Sequence, residues 1–309
     1  MVETFSHSRL SSFEDCPRRF QYRYLLKIPS ETESIEAFVG KLVHDVLERL
    51  YIATGRGHIP SLPQVVQRYL ILFEERYDAQ RVAIVRTENP LEHYRDLGGQ
   101  CLSNYYRAQY PFDADETLGL EERVAFDLGE DDGTRIHFQG FVDRIAEARD
   151  GAIEIHDYKT GARVPRQAQL DEDRQLALYQ LGLAQRYGAE RPMRLVWHFV
   201  RSGRVCTSTR SSEQLEGLRR DTLALVKRIR GETQFEASPS ALCRWCEYRA
   251  RCPESPERDA RLPAYDASDA AFPQSLRAAA QRAREGGGAA AASDQLALPL
   301  HVPLASADG

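Results

Sequence analysis

The sequence predicts an α/β fold in which helices flank a mixed central sheet. The first observation is a set of strand-like apolar runs, near 120–128, 135–148, 152–159, 193–200 and 204–210. The second is the helical spacing of apolar residues before, between and after those runs, at 8–26, 36–54, 168–187 and 212–230. Interleaving of the two kinds of segment favours one sheet covered by helices.

The first two helices are predicted from a cap and from apolar stripes. Ser8 can cap the helix over 8–26, whose apolar residues recur at helical spacing. The helix over 36–54 carries an apolar stripe, and His44 lies beside that stripe. A lone histidine in such a place is more often a satisfied core or boundary residue than a ligand.

Residues 62–110 are helical in pattern and rich in Tyr, Arg and Glu. They predict a helical insertion between the second helix and the sheet. Its aromatic side chains could stack on unpaired bases, but such residues are more often packed in a core. We therefore expect most of them to be packing residues: Tyr69, Phe73, Tyr77, Tyr94, Tyr105 and Tyr106.

Two acids and a lysine lie in the middle of the predicted sheet. Asp143 is in one strand, and Asp157 and Lys159 end the next. Because side chains alternate along a strand, residues 157 and 159 point to the same face. Carboxylates that hold a divalent metal, with a cation near the attacking water, are what phosphodiester hydrolysis needs. Asp-x-Lys alone is often a solvated salt bridge, but the strand context of all three residues favours a nuclease.

Composition agrees with a nuclease. No apolar run of the 309 residues approaches membrane-spanning length, and the polar N-terminus does not resemble a signal peptide, so we expect a cytoplasmic protein. The net charge is −5, but residues 219–252 carry eight Lys/Arg against four Asp/Glu. An acidic balance overall therefore does not exclude a local basic track for DNA.

Four of the six cysteines are placed like metal ligands: Cys16, Cys243, Cys246 and Cys252. Without a signal peptide, a disulfide framework is not expected. A thiolate quartet binds zinc or an iron–sulfur cluster. One ligand lies far in sequence from the other three. This spacing argues against a compact zinc ribbon, which usually contains two pairs of cysteine ligands. The remaining two, Cys101 and Cys206, lack a partner pattern and are predicted to be core residues.

These motifs resemble the PD-(D/E)xK nuclease superfamily, and specifically its RecB-like branch, over roughly residues 5–253. Two departures from the superfamily's name occur, because Val142 replaces the proline and the second acid is aspartate. The matching segments are Gly140-Phe-Val-Asp143-Arg-Ile, Asp157-Tyr-Lys-Thr-Gly161, Gln175-x-x-x-Tyr179 and Gly40-x-x-x-His44.

The resemblance implies a restriction-endonuclease-like core in a nuclease domain over 1–253, with 62–110 as its helical insertion. It implies that Mg²⁺ or Mn²⁺ is held by His44, Asp143, Asp157 and the carbonyl of Tyr158, with Asp143, Asp157 and Lys159 as catalytic residues.

The resemblance also implies roles outside the metal site. Gln175 and Tyr179, one turn apart on a helix, would position the substrate. Glu122 is a further candidate that does not come from the resemblance: it lies on the strand before Asp143 and would act on the metal through water. In the RecB-like branch, one cysteine before the core and three after it look like the ligands of a [4Fe–4S] cluster in the C-terminal segment, here Cys16, Cys243, Cys246 and Cys252.

We therefore expect a metal-dependent DNA exonuclease that acts on single strands or ends in repair or recombination. A CRISPR-adaptation nuclease is a narrower version of this function. Two other classes stay open: a non-catalytic iron–sulfur (or zinc) module that binds DNA or senses redox state, and a zinc-stabilised scaffold. No Gly-x4-Gly-Lys-Ser/Thr phosphate loop occurs, so unwinding would need a partner such as a helicase.

Residues 254–309 predict a mostly disordered tail with a short helix around 269–284. Within the tail, residues 295–300 resemble the peptide by which bacterial replication and repair proteins bind the sliding clamp. The glutamine would set the register by hydrogen bonds and the leucines would fill an apolar pocket: Gln295, Leu296, Leu298 and Leu300. The alternative is a chance apolar patch in an Ala/Leu/Pro-rich tail.

Overall fold

The computed structural model describes residues 2–30 and 32–259 of the chain. Within this part, six strands form the main sheet and two short strands pair separately. The strands are β1 (Val2–Phe5), β2 (Glu33–Ser34), β3 (Val82–Ala83), β4 (Asp115–Asp131), β5 (Thr134–Ala148), β6 (Ile153–Lys159), β7 (Met193–Phe199) and β8 (Arg204–Ser208). The sheet order is β1-β5-β6-β7-β8, and β4 lies on the other edge of β5.

The sheet is mixed. Strand β5 pairs in parallel with β1, as β6 does with β7, whereas the β4–β5, β5–β6 and β7–β8 pairs are antiparallel. The helices are α1 (His7–Asp15), α2 (Pro17–Phe20), α3 (Ile35–Gly55), α4 (Leu62–Arg76), α5 (Leu91–Gln109), α6 (Gln167–Asp171), α7 (Arg174–Tyr187) and α8 (Ser212–Gly231). The predicted α/β class, a mixed sheet flanked by helices, is confirmed.

Two hydrophobic cores lie on the sheet. One joins α1, α7 and α8 to strands β4 to β7, with Phe13, Leu178 and Val226 among its buried residues. The other joins α3, α4 and α5 to Tyr158 and Val200. Helices α4 and α5 lie within 62–110, the segment predicted to be an insertion. The aromatic residues of this segment pack in the second core, in agreement with their interpretation as packing residues.

The predicted helix over 8–26 is broken at Cys16. Ser6, rather than Ser8, caps α1, since its side chain accepts a hydrogen bond from the backbone of Arg9 at 3.1 Å. Cys16 is extended (φ −164°, ψ 109°), and α2 restarts at Pro17. A proline disfavours the helical conformation in the residue before it, so Pro17 ends α1 there. The break places Cys16 between two helices.

Strands β4 and β5 form a long hairpin whose turn is Asp132–Gly133, both with positive φ (48° and 71°). An Asp-Gly pair with this geometry suits the twist of a two-residue hairpin. The register then shifts twice along the hairpin, between Asp127 and Gly129 and between Thr117 and Gly119. The first shift decides which acids meet at the site.

Residues 260–309 lie outside the described part of the chain, and with them the predicted helix at 269–284 and the predicted clamp-binding residues Gln295, Leu296, Leu298 and Leu300. Among the helices over 2–30 and 32–259, none has both the length and the apolar character that a bilayer span requires.

Candidate active site and cysteine cavity

Asp143 on β5 and Asp157 on β6 meet beside the last residues of β6. One Asp143 oxygen, Oδ2, accepts a hydrogen bond from the backbone N–H of Tyr158 at 2.7 Å. Asp157 is buried, while 13% of the Asp143 side chain is exposed. The sheet therefore fixes both carboxylates and leaves Asp143 open to a ligand.

His44 approaches the same point from helix α3. Its Nε2–H donates to the carbonyl oxygen of Tyr158 at 2.8 Å, and its Nδ1 lies 3.4 Å from Oδ1 of Asp143. The stripe of α3 beside it is buried in the second core, which holds the helix against the strand end. The imidazole, the carboxylate of Asp143 and the carbonyl of Tyr158 thus converge at one point.

Glu121 is a site residue that the sequence analysis missed. Its Oε1 lies 4.0 Å from Nδ1 of His44, and the ligand atoms of Glu121, His44 and Asp143 all lie within 4.8 Å of one another. The candidate Glu122 points elsewhere and forms an ion pair with Arg186.

The register shift in the hairpin explains this difference. Counting back from the Asp132–Gly133 turn without a shift would place Glu122 opposite Asp143. The irregularity between Asp127 and Gly129 moves the pairing by one, so that Glu122 faces Val142 and Glu121 comes opposite Asp143. A one-residue slip exchanges the two faces of a strand, and Glu121 itself has a positive φ of 44°. The Asp132–Gly133 turn is visible in the sequence and would allow the strand register to be counted, but the sequence does not reveal the bulge that shifts this register by one residue.

Lys159 lies between an acid and an amide. Its ammonium donates to Asp157 at 2.9 Å and to Oε1 of Gln175 on α7 at 3.0 Å. Gln175 in turn donates to the hydroxyl of Tyr179, one turn further, at 3.4 Å. Tyr179 packs over Gly140 so closely that a Cβ there would lie 2.3 Å from its ring. Glycine at 140 therefore allows the Tyr179 ring to lie over the strand.

The site concentrates negative charge. Burial opposes protonation of His44, but contact with Asp143 and the charges of Asp143, Asp157 and Glu121 raise its pKa to about 9. Burial and the charge of Asp143 raise the pKa of Glu121 to about 7. Burial also raises the pKa of Asp157, against the charge of Lys159. Carboxylates crowded in this way are stabilised by a bound cation.

The donor atoms fit a hard divalent cation. Carboxylate and carbonyl oxygens suit Mg²⁺, and the imidazole of His44 suits Mn²⁺ as well. Asp157 and Lys159 lie at the margin of the same site. The ammonium of Lys159 is therefore next to any anionic ligand that the metal binds.

The four predicted cysteine ligands line a single cavity of about 230 Å³. Cys16 comes from the break between α1 and α2, and the other three come from the segment 243–252. Backbone N–H groups point at two sulfurs, from Ser238 to Cys16 at 3.5 Å and from Ser240 to Cys243 at 3.3 Å. Burial raises the pKa of the Cys246 thiol to about 11, so a thiolate there needs a bound cation.

Aromatic and polar contacts hold the cysteine segment against the N-terminal helices. Phe235 stacks on Phe20 with ring centroids 6.2 Å apart. The hydroxyl of Tyr248 donates to the carbonyl of Ile28 at 2.9 Å. The two other cysteines are elsewhere: Cys101 is buried in the second core, and Cys206 is half-buried against the first.

A family model of the PD-(D/E)XK nuclease superfamily matches residues 4–253. The chain belongs to this superfamily. The match covers both carboxylate strands, the insertion and the four predicted cysteine ligands of this PD-(D/E)XK protein.

Two solved structures are similar at low identity. A crystal structure from Eubacterium rectale, provisionally named an exonuclease, is 13% identical with a TM-score of 0.49, covering 82% of this chain and 90% of that one. The crystal structure of SSO0001 is 12% identical with a TM-score of 0.35, covering 81% and 85%. No curated protein matches the chain. Because both TM-scores are below 0.5, the assignment rests on the family model.

Proposed function

We propose that this protein is a metal-dependent DNA exonuclease of the RecB-like branch, which hydrolyses phosphodiester bonds from DNA ends. The observation that carries the proposal is the convergence of His44, Asp143 and the Tyr158 carbonyl beside the Asp157–Lys159 pair. Oxygen and imidazole donors at one point, with a lysine adjacent, form a site for a cation and a phosphate together.

The metal ligands would be His44, Asp143, Asp157 and the Tyr158 carbonyl, with Glu121 completing the set. When bound, Mg²⁺ or Mn²⁺ polarises the scissile phosphate and lowers the pKa of a water. The backbone N–H of Tyr158 holds Asp143 by one oxygen and so leaves the other facing His44.

Lys159 has the role of orienting the attacking water and offsetting charge on the phosphate. Asp157 and Gln175 restrain its ammonium from two sides, at 2.9 and 3.0 Å. Burial opposes its charge, but the charge of Asp157 raises the pKa of Lys159, which keeps the side chain cationic. Gln175 and Tyr179 act on substrate and on Lys159 as positioning residues.

The cysteine cavity is proposed to hold a [4Fe–4S] cluster. Zinc bound to cysteines at about 2.3 Å draws sulfurs to about 4 Å from one another. Among the described residues, no three cysteine sulfurs lie within 4.8 Å of one another. A cavity of about 230 Å³ is also much larger than the volume that a single metal ion occupies. Both features favour a polynuclear cluster over a single zinc ion.

The cellular role is proposed to be repair or recombination, in the cytoplasm, on single-stranded DNA or DNA ends. A separate helicase would supply such strands. The peptide 295–300 would bind the sliding clamp and keep the nuclease near DNA.

Cleavage assays on matched DNAs test the exonuclease proposal. Linear single-stranded DNA labelled at either end should be degraded in Mg²⁺ or Mn²⁺ and untouched in EDTA, while circular single-stranded DNA of the same sequence should survive. Cleavage of the circle at the rate of the linear strand would contradict the exonuclease assignment, and absence of cleavage of both would contradict nuclease function.

A further inference from the structure

A groove of about 770 Å³ runs between the helical insertion and the cysteine segment. One wall is the start of α3, where Ala37 and Lys41 line it. The second wall is the turn after α4, with Arg81, and the third is the segment from Trp245 to Arg249. Three parts of the chain that are distant in sequence therefore enclose it.

The groove is cationic. Among the described residues, six arginine or lysine side chains line it, against three carboxylates. Two of these carboxylates already have cationic partners, since Glu33 lies 2.6 Å from Lys41 and Glu247 lies 3.1 Å from Arg19. Two further lining cations, Arg76 and Arg249, pair with carboxylates outside the lining, Asp45 and Glu257, each at 2.8 Å. One net positive charge therefore remains among these described residues, a small excess that favours an anionic ligand.

Trp245 provides an aromatic surface at this groove. Two exposed guanidinium groups from different parts of the chain lie near its ring, Arg86 at 5.6 Å and Arg244 at 5.9 Å from the centroid. The ring is half-buried, so one part of it stays accessible. A flat aromatic side chain with flanking cations combines a stacking surface for a base with contacts for phosphates.

The groove and the metal site lie along the same face of α3. Ala37, Lys41 and His44 are spaced by four and three residues and so share that face. At 1.5 Å per residue, Ala37 lies about 10 Å along the helix from His44. The same helix meets the loop after β6, because a Cβ on Gly40 would lie 3.3 Å from Oγ1 of Thr160. A strand in the groove would therefore reach the carboxylates without leaving the surface.

From these contacts we infer that the groove binds single-stranded DNA, with an unpaired base on Trp245 and the backbone held by cations including Arg81, and directs it to the site of cleavage. The inference rests on the proposed function and names the conformation of its substrate. Duplex DNA is disfavoured because its bases are stacked on one another and offer no free face to Trp245.

The test is equilibrium binding by the metal-loaded, cluster-containing protein carrying Lys159→Ala, which is expected to stop cleavage without weakening metal binding, so that DNA is not consumed. A fluorescent oligothymidylate of about 15 nucleotides and a duplex of equal length are titrated by anisotropy over a range of salt. Trp245→Ala should weaken binding of the single strand about tenfold, and Trp245→Phe should restore most of it. Arg81→Ala should reduce the salt slope by about 0.7, the value for one phosphate contact on a single strand.

Matched controls separate the groove from the rest of the surface. Leu242→Ala alters an exposed apolar side chain of the short 3₁₀ helix Ala241–Trp245, which also carries Trp245. Arg107→Ala removes an exposed arginine on α5 that does not line the groove. Both should bind as the parent does. If Trp245→Ala lowers iron content, Arg81→Ala and Arg86→Ala, outside the cysteine segment, decide the question.

Two outcomes would overturn the inference. Unchanged single-strand binding in Trp245→Ala and Arg81→Ala, while the unmutated protein still degrades DNA, would reject the groove and leave the nuclease standing. Tighter binding of the duplex than of the single strand would also reject it. A protein that neither binds nor cleaves DNA would instead refute the proposed function.

Discussion

Glu121 and Glu122 are adjacent residues with opposite surroundings. Glu121 lies by His44 and Asp143, whereas Glu122 pairs with Arg186 on α7. Their side chains differ only in the face of β4 that they occupy, so the pair forms a natural internal control for the metal site.

Glu121→Gln should raise the Mn²⁺ concentration needed for half-maximal cleavage about tenfold, because one carboxylate leaves the cation's surroundings. Glu122→Gln should leave that concentration close to the parent value. The comparison is made by metal titration of the cleavage rate and by calorimetry of Mn²⁺ binding. An effect of Glu122→Gln equal to or larger than that of Glu121→Gln would show that the register drawn here is wrong.

At this scale, local pattern predicted Asp143, Asp157 and Lys159 as neighbours, since alternation along adjoining strands is enough to bring them together. Glu121 could not be predicted in the same way. Its position depends on the register shift after Asp127, and a bulge of one residue leaves no local signal in composition.

At the scale of elements, strands β5, β6 and β7 share a buried polar layer under the site. Arg144 is fully buried, forms a bidentate ion pair with Asp115 at 2.6 and 3.0 Å, and lies 3.1 Å from the ring of His156. His156 and His198 contact each other at 2.8 Å. Burial, followed by the charges of their neighbours, holds the pKa of both rings well below the usual value.

This layer makes stability depend on pH. A histidine whose folded pKa is depressed is neutral in the native state and becomes protonated on unfolding below about pH 6.5, so stability is present above that pH and is lost as pH falls. His156, His198 and His7, whose pKa is lowered to about 4 chiefly by burial, act in this direction. Glu121, with its raised pKa, takes up one proton in the metal-free native state and offsets one of the three.

For the metal-free protein we therefore expect the free energy of unfolding to fall by about 2.7 kcal/mol per pH unit below pH 6.5, for two net protons. Since the raised pKa of His44 is about 9, that ring is protonated in both states below pH 6.5 and contributes no further slope there. Urea denaturation at several pH values between about 6 and 5, where the unfolded histidines are mostly protonated, measures the slope. Substituting His198→Gln should reduce it by about half. A free energy of unfolding that stays level or rises as pH falls through this range would contradict the assignment of His156 and His198 as a buried neutral pair.

The elements themselves were predictable where periodicity is strong, as in α3, α8 and the strands β5 to β7. The break at Cys16 was missed, although Pro17 is its physical cause. Strand β1 was missed because it has only four residues and pairs in parallel with β5, over a hundred residues away. A contact between segments so distant in sequence produces no local hydrophobic periodicity that could predict it.

For the molecule as a whole, the cysteine cavity joins the two ends of the described chain. Cys16 follows the first helix, and the other three lie after α8. A metal group that ties segments so distant in sequence stabilises the folded state by closing a long loop.

Replacing Cys16 or Cys252 by alanine should abolish bound iron and the visible absorption of anaerobically prepared protein, and should lower Tm by about 5–10 °C. Cys206→Ser is the matched control, because that half-buried thiol lies outside the cavity and should keep the iron. Iron analysis, absorption and thermal denaturation report the three effects. Stoichiometric zinc in colourless unmutated protein prepared without oxygen would reject the iron–sulfur assignment.

The central claim is that the carboxylates of Asp143 on β5 and Asp157 on β6 hold the metal for DNA cleavage. The most direct measurement is the degradation rate of end-labelled single-stranded DNA in Mn²⁺, compared among the unmutated protein, Asp143→Asn, Asp157→Asn and Lys159→Ala, with Asp127→Asn as the control on the same hairpin. Each of the three site substitutions should reduce the rate at least about a hundredfold, with Mn²⁺ binding weakened only in the two aspartate variants, and Asp127→Asn should be unaffected. Full activity in Asp157→Asn would contradict the account.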